Sequence, residues 1–373
     1  MKILRFIKRE IVLVISFLLA MVSAFIVVPD SQYISYIDFR TLSILFSLML
    51  VMSGLSDLGV FSRIGETLIS RVKSYRGIVI VLTMLCFFFS MLITNDVALI
   101  TFVPFTIIVF NLAGMKDKLI ITIVLETVAA NLGSMITPIG NPQNLYLYSL
   151  SGLGFGEFII LMLPYGVISL VLILAGGFVF SGRGYVETKK LSEYNLGRND
   201  KLRILVYALI FICELLVVVR ILDYRIGFVI AVVLTMAAGV KNFKNVDYSL
   251  LFTFIFLFIF IGNLKRIPAV SDLLMSITNG REVIVSALAS QVISNVPAAI
   301  LLSGFTKNIT ALIVGTNLGG LGTLIASMAS LISFKLYSKE EGSSVKKYII
   351  SFTLINVVML VVLGSVALLG IFA

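Results

Sequence analysis

Ser90-Met91-Leu92-Ile93-Thr94-Asn95-Asp96 is a polar knot set in an otherwise apolar run, and it recurs once, as Ser290-Gln291-Val292-Ile293-Ser294-Asn295-Val296-Pro297. Each copy has a hydroxyl residue, three residues, a second hydroxyl and an Asn. Each is followed downstream by an Asn-Leu-Gly segment, at Asn131 and at Asn317. Irregular polar backbone survives at membrane depth only where it lines a cavity or is packed inside protein. Two such places in one chain point to a transport site built by internal duplication.

Outward from these knots the chain is apolar. The 373 residues are 59% hydrophobic and 13% charged, with a mean hydropathy of +1.11, so the class is a polytopic membrane protein. A net charge of +10 suggests nucleic acid in a soluble chain, but here the basic residues fall in short clusters between spans, where they hold loops in the cytoplasm. No nucleic-acid partner is expected. Cys86 and Cys213 both lie in apolar runs, which indicates neither a disulfide framework nor a thiolate metal site. With no His, the commonest proton shuttle and metal ligand is missing, and no His-based triad can be built. No Gly-x-x-x-x-Gly-Lys-Ser/Thr loop is present, so ATP is not the evident energy source and no enzyme signature is found.

Ile11–Val28 is a first span, its start held inside by Lys2, Arg5, Lys8 and Arg9. Val22-Ser23-Ala24 is a weak signal-cleavage site, but the repeat needs this segment as a helix. Phe39–Val60 is a second span, followed by an interfacial helix over 61–74. Gly77–Asn111 is too short for two full spans, which need roughly 40 residues plus a turn. With basic residues on both flanks it reads as a re-entrant hairpin entering from the cytoplasm, its tip at Thr94-Asn95-Asp96. Leu119–Leu150 is a span interrupted by Gly133-Ser134-Met135-Ile136-Thr137-Pro138-Ile139-Gly140-Asn141-Pro142, where two prolines and two glycines break a helix. Asn141-Pro142 then restarts one, as N-cap and first helical residue. A polar loop, Gly182–Arg203, follows the next span and carries Arg183, Lys189, Lys190, Arg198, Lys201 and Arg203.

The second half repeats the plan after a linker span, Ile204–Leu222. Its hairpin is Glu282–Phe305 and its broken helix Ile309–Phe334, interrupted at 315–323. The expected units are therefore 1–181, a loop and linker at 182–223, and 224–373. The odd linker inverts the second half, so its hairpin enters from outside, with the N-terminus inside and the C-terminus outside. Lys241, Lys244, Lys335, Lys339, Lys346 and Lys347 agree with that topology, whereas Lys265, Arg266, Arg281 and Lys307 fall on the outer side. Ordinary pairs of short, kinked spans are the competing reading of both hairpins.

Ser90 and Thr94 lie one helical turn apart, and Asn95 adds an amide carbonyl. With carbonyls freed near Gly140 they make an all-oxygen shell for a hard cation such as sodium. Ser290, Ser294 and Asn295, with Thr316 and Asn317 at the second break, make another. Restarted helices at Asn141 and near Thr323 aim positive dipole ends at the midplane, which suits an anion. The plainer reading is that these hydroxyls only satisfy freed backbone groups. Asp96 and Glu126 are the carboxylates expected at membrane depth, where a charge is a functional candidate by default, here for protons or a cation. Asp57 reads as structural, and Glu214 and Arg220 carry no assignment.

The tips and the breaks, Ile139-Gly140-Asn141-Pro142-Gln143-Asn144 and Gly315-Thr316-Asn317-Leu318-Gly319-Gly320, resemble the Ser-Asn-Thr signatures and Gly-rich loops of the ion transporter superfamily. That superfamily includes divalent-anion/sodium symporters, citrate permeases, arsenite-efflux permeases and some sodium/proton antiporters. The resemblance covers nearly the whole chain. It implies an all-α fold of two inverted repeats, each with a re-entrant hairpin and a discontinuous helix, and a homodimer working by an elevator movement in the cytoplasmic membrane. It implies a substrate site between the tips, lined by Thr94, Asn95, Asp96, Ser294, Asn295 and Val296, with Asn141 and Thr323 at the restarts. Neither tip keeps the third-position Thr: Asp96 and Val296 replace it. An Asn-Asp tip looks closer to the arsenite-efflux and sodium/proton branches. The expected function is secondary transport of a small inorganic or organic anion coupled to sodium or protons, with no cofactor beyond a sodium ion. The alternative is a sodium/proton antiporter or arsenite/antimonite efflux permease using Asp96.

Overall fold

Two helical hairpins with the same strained tip organise the protein, seen in a computed structural model that describes residues 10–182, 184–185 and 197–370. Lys2, Arg5, Lys8 and Arg9, loop residues Arg183, Lys189 and Lys190, and the side chain of Arg198 lie outside the described residues, as does 371–373. In chain order the helices are α1 (Ile11–Ile26), α2 (Phe39–Asp57), α3 (Val60–Ile69), α4 (Tyr75–Ile93), α5 (Asn95–Leu112), α6 (Lys116–Ser134), α7 (Pro142–Ser151), α8 (Phe155–Phe180) and α9 (Arg198–Val218). They continue as α10 (Tyr224–Gly239), α11 (Tyr248–Lys265), α12 (Pro268–Thr278), α13 (Glu282–Ile293), α14 (Asn295–Ser303), α15 (Ile309–Leu318), α16 (Met328–Ser338) and α17 (Val345–Leu368). The protein is an all-α polytopic membrane protein. Among the described residues seven helices are long and apolar enough to cross a bilayer, and none of the regular structure is strand.

The hairpins are α4–α5 and α13–α14; the broken helices are α6–α7 and α15–α16. Each hairpin turns on one residue, Thr94 (φ 72, ψ 150) or Ser294 (φ 71, ψ 154). Those angles belong to a region that is nearly reserved for glycine and costs about 1–3 kcal/mol to occupy. A β-branched or hydroxyl residue at both tips therefore keeps a side chain where backbone ease would favour none. The arms of the second hairpin hold 12 and 9 residues, far short of the ~20 a helix needs to span. The first hairpin's arms, 19 and 18 residues, are each long enough by length and composition to cross.

The hairpins and broken helices form one bundle. Hairpin α4–α5 packs on α6 and, across the halves, α5 packs on α16; hairpin α13–α14 packs on α15, and α14 on α7. Helices α8 and α17 flank this bundle. A second group packs against this bundle through α11 on α14 and α2 on α7, with α1 on α11 and α2 against α9 and α10. Asp38 and Asp247 cap α2 and α11 in the same way, accepting from Thr41 N (3.0 Å) and Leu250 N (2.9 Å).

The end of the second hairpin lies near the start of α2, joined to it through α7. At the start of α2, Asp38 accepts from Ser149 Oγ at the end of α7 (3.0 Å), and Tyr146 on α7 meets Ser303, where the second hairpin ends (2.9 Å). The far end of α2 runs through α3 to Tyr75, where the first hairpin begins; there Tyr75 N donates to Gly184 O (3.0 Å) beyond α8. Asn111, at the other foot of that hairpin, donates to Glu340 just past α16 (2.8 Å).

Close approach of α4 to α6 rests on a glycine. A Cβ at Gly133 would lie 2.1 Å from Phe87 O and 2.7 Å from Ser90 Oγ; one at Gly319, the matching position of α15, would lie 2.7 Å from Ser290 Oγ and 2.9 Å from Ala287 Cα. Gly133→Ala must push α4 off α6, an overpacking that typically costs 1–3 kcal/mol. A clear drop in melting temperature is expected in micelles. Gly364→Ala on α17, where the added carbon meets nothing within 4 Å, should leave it unchanged or raise it.

Candidate functional site

Asn131, near the inner end of α6, is the junction of the site. Its Oδ1 accepts from Asn95 Nδ2 at the first tip (3.0 Å) and from Ser327 Oγ at the head of α16 (3.0 Å), while its Nδ2 donates to Ser330 Oγ (3.2 Å). One buried amide ties a hairpin tip to both broken helices. Asn317, its counterpart on α15, donates to Asn144 Oδ1 on α7 (2.6 Å) and to Ile313 O (2.8 Å). In the aligned copies Asn141 and Asn144 match Ser327 and Ser330, so each junction Asn reaches the restarted helix of the other half.

The breaks are held by the carbonyls they free. Asn144 Nδ2 lies 3.3 Å from Ser134 O, 3.4 Å from Met135 O and 3.3 Å from Thr137 O. Asn141 Nδ2 donates to Ser134 Oγ (2.7 Å), which donates in turn to Asn131 O (2.9 Å). Thr137 Oγ1 donates to Met91 O of the first hairpin, and its counterpart Thr323 Oγ1 donates to Gln291 O of the second (3.2 Å). At the second tip Asn295 N donates to Ala326 O (2.9 Å), and Ser294 Oγ approaches the same carbonyl (3.4 Å).

Most of the residues expected from the sequence meet here, though not all with the geometry foreseen. Asn95, Asn131, Ser294, Asn295, Val296 and Asn317 are buried around the tips; Thr94 and Asp96 are half-buried. Asp96 N donates to Asn95 Oδ1 (2.9 Å), and Asp96 Oδ1 is buried with no partner among the described residues. Gly140 stands in a single 3-10 turn, Pro138–Gly140, with its N–H on Thr137 Oγ1 (3.2 Å). Ser90, Ser290 and Thr316 donate to carbonyls of their own helices, Phe87 O (2.9 Å), Ser286 O (2.7 Å) and Leu312 O (2.8 Å). They stand between packed helices, with their hydroxyl protons already spent.

Two local expectations are corrected. The second broken helix restarts at Met328 and not near Thr323, because no proline fixes the restart as Pro142 does in the first. Thr323 is exposed in the connecting turns. Asn141 and Ser327 hold N-cap positions, yet neither caps with its side chain. Both side chains turn to the junction instead, which leaves the first N–H groups of α7 and α16 uncapped and their positive ends unquenched.

Glu126 lies on α6, five residues before Asn131. It is fully buried, its Oε1 accepts from Thr106 on α5, and its Oε2 has no partner among the described residues. No Lys or Arg is buried among the described residues. The charges at the site are therefore carboxylates and helix dipoles. Asn144, Ser327 and Ser330 were given no role in the sequence reading; at the register set by Asn131 and Asn317, Asn144 aligns with Ser330 and Asn141 with Ser327, but the alignment names no partner. Gln143 was given no role either. It is fully buried, and neither amide atom has a partner among the described residues.

Paired hairpin tips meeting broken helices inside an apolar bundle define a membrane transporter. Residues 3–311 match the model of the citrate transporter family, CitMHS, and the chain belongs to that family, within the ion transporter superfamily. It is 35% identical over 343 residues to an uncharacterized transporter of Methanocaldococcus jannaschii, covering 91% of this chain and 92% of that one. It is 31% identical over 321 residues to the inner membrane protein YbiR of Escherichia coli, covering 84% of each. A silicon efflux transporter of Oryza sativa subsp. japonica is 32% identical over 140 residues, 37% of this chain and 28% of its own. The family is one of transporters, as two of these relatives are named, and the protein is a transporter integral to the membrane and not an enzyme.

Proposed function

We propose that the chain is a secondary active transporter that moves a small anion coupled to sodium or protons. The junction at Asn131 carries this reading, because it joins a hairpin tip to both broken helices where neither lipid nor bulk water can serve the polar groups. The cation sits by Asp96, Asn95 and Asn131; the anion sits against the uncapped starts of α7 and α16. The two halves are inverted repeats, a reading supported by the matching tips, the matched caps of α2 and α11 and the crossed pairing of α5 with α16 and α14 with α7. Alternating access moves the hairpin bundle against α1, α2 and α9–α11, which form the scaffold and the contact of a homodimer. The protein resides in the cytoplasmic membrane with its N-terminus inside and its C-terminus outside.

One observation favours a second reading. With no Lys or Arg buried and no partner for Asp96 Oδ1 among the described residues, the first tip suits a cation better than an anion. The protein is then a sodium/proton antiporter or an arsenite/antimonite efflux permease, and the relative named for silicon efflux sides with outward movement. Flux in proteoliposomes separates the two: sodium or proton uptake that requires an anion supports symport, and sodium-driven proton movement without one supports antiport. Under either reading Asp96→Asn is expected to lower the cation-coupled flux by at least tenfold. Wild-type rates would remove Asp96 from the mechanism.

A further inference from the structure

Gln143 is the second residue of α7, just past Pro142, and its side chain is fully buried with both Oε1 and Nε2 unpartnered among the described residues. A buried primary amide left without any hydrogen bond is rare and costly, so each instance calls for an explanation. Its neighbours leave no ambiguity of role. Asn141 is engaged by Ser134 and Asn144 by Asn317, so the amides on either side of Gln143 are already committed to holding the break.

Helical spacing locates the side chain. Tyr146, one turn further along α7, packs on Phe258 of α11 (ring centroids 5.3 Å apart) and reaches Ser303 at the end of α14 (2.9 Å). Residues three apart share a helix face. Gln143 therefore lies on the face of α7 turned to α14 and α11, one turn nearer the hairpin tip, beside the uncapped first turn of α7. That is the boundary between the bundle that carries both tips and the helix group against which it packs. The matching position in the second half is Ala329, so this amide occurs once in the site.

We propose that Gln143 is a substrate-contacting, specificity-determining residue that reads an undissociated acid group, one X–O–H beside an acceptor oxygen. A primary amide offers an N–H and a C=O along one edge. An acid group that retains its proton matches both, with X–O–H donating to Gln143 Oε1 and the adjacent oxygen accepting from Nε2. A fully ionised oxyanion would still set an oxygen against Oε1, with no Lys or Arg buried among the described residues to offset that repulsion. The substrate then crosses with its own proton attached. This rests on the transport reading above and restates its substrate as a species that keeps at least one acid proton in transit, whatever its remaining charge. A site built to hydrogen-bond a substrate hydroxyl rejects analogues lacking one strongly, because its own polar atoms are then left unpaired.

The test is a thermal-shift titration of the purified full-length protein in micelles. The probes are arsenous acid, orthosilicic acid and citrate at mildly acidic pH, with sulfate as the ionised comparison and sodium as the cation. The expected result is that at least one acid probe stabilises wild type and sulfate does not. In Gln143→Leu the half-saturating concentration of that probe should rise at least tenfold, with the probe-free melting temperature unchanged or higher. Gln143→Met, also apolar and of similar length, provides the same comparison if the leucine variant does not fold. Unchanged probe affinity in either variant overturns the proposal, as does a wild type that no acid probe stabilises. In that last case a sodium-dependent shift that is lost in Asp96→Asn leaves the transport reading standing while this assignment falls.

Discussion

Asn131→Leu is expected to reach the membrane and to transport at about one-hundredth of the wild-type rate or less. Leucine keeps the volume of the side chain and removes all three of its hydrogen bonds, to Asn95, Ser327 and Ser330. Asn95 Nδ2 is left buried without its acceptor, and two serine hydroxyls lose theirs or their donor. Each such loss typically costs 1–3 kcal/mol in a buried setting. At 1.4 kcal/mol per factor of ten, even the low end of three losses amounts to about 3 kcal/mol and roughly a hundredfold. The loss should fall on the arrangement of the tip and not on helix packing, because leucine fills the space the amide occupied. Flux in proteoliposomes and melting temperature, measured together, check this. Asn317→Leu severs the tie to Asn144 but leaves the first tip anchored, so its flux should fall less. If Asn131→Leu transports as wild type does, the junction is only a packing feature and the site lies elsewhere.

The two helix–turn–helix pairs and their order were legible because a polar tip in an apolar run has few stable solutions in lipid, but the arms of the first, expected to be too short for two spans, are each long enough to cross. The expected arms, 77–111 and 282–305, differ from the observed helices by about two residues at their ends. Asn141-Pro142 was an unambiguous restart because proline at the first helical position fixes the chain there. The second break was misjudged by several residues because Gly319, Gly320 and Gly322 mark where a helix stops but not where the next begins. Ser327 and Ser330 were invisible for a different reason. A serine in an apolar helix carries no signal until its partner is known, and that partner, Asn131, sits almost two hundred residues away on the other broken helix. The crossing itself, in which each junction Asn serves the opposite half, is a tertiary fact with no local trace. The hydroxyls Ser90 and Ser290 were picked out by a spacing that matches a cation shell, but their close contacts with Gly133 and Gly319 had no local trace.

Glu126→Gln is expected to fold as wild type does and to lose proton-coupled flux by a factor of ten to a hundred. The carboxyl is sealed between α5 and α6, one oxygen held by Thr106 and the other free, and the aligned position in the second half is Leu312. A helix of this kind is thus content with leucine at that point, and a carboxyl retained there in lipid needs a reason beyond packing. Glutamine preserves the acceptor toward Thr106 and the volume of the side chain while removing the exchangeable carboxyl proton. Glu126→Leu goes further and removes the buried carboxyl altogether. The Thr106 hydroxyl it releases can turn back to a carbonyl of its own helix, so the gain from no longer burying a carboxyl with one oxygen unpartnered offsets the lost bond and the melting temperature should not fall. A structural role for Glu126 predicts the reverse pattern, with Glu126→Leu unstable, Glu126→Gln fully active and Thr106→Val as damaging as either. Acidification of dye-loaded vesicles, measured beside the melting temperatures of the three variants, decides between them. A Glu126→Gln protein that acidifies vesicles at the wild-type rate would leave Asp96 as the carboxyl available to carry the coupling at the first tip.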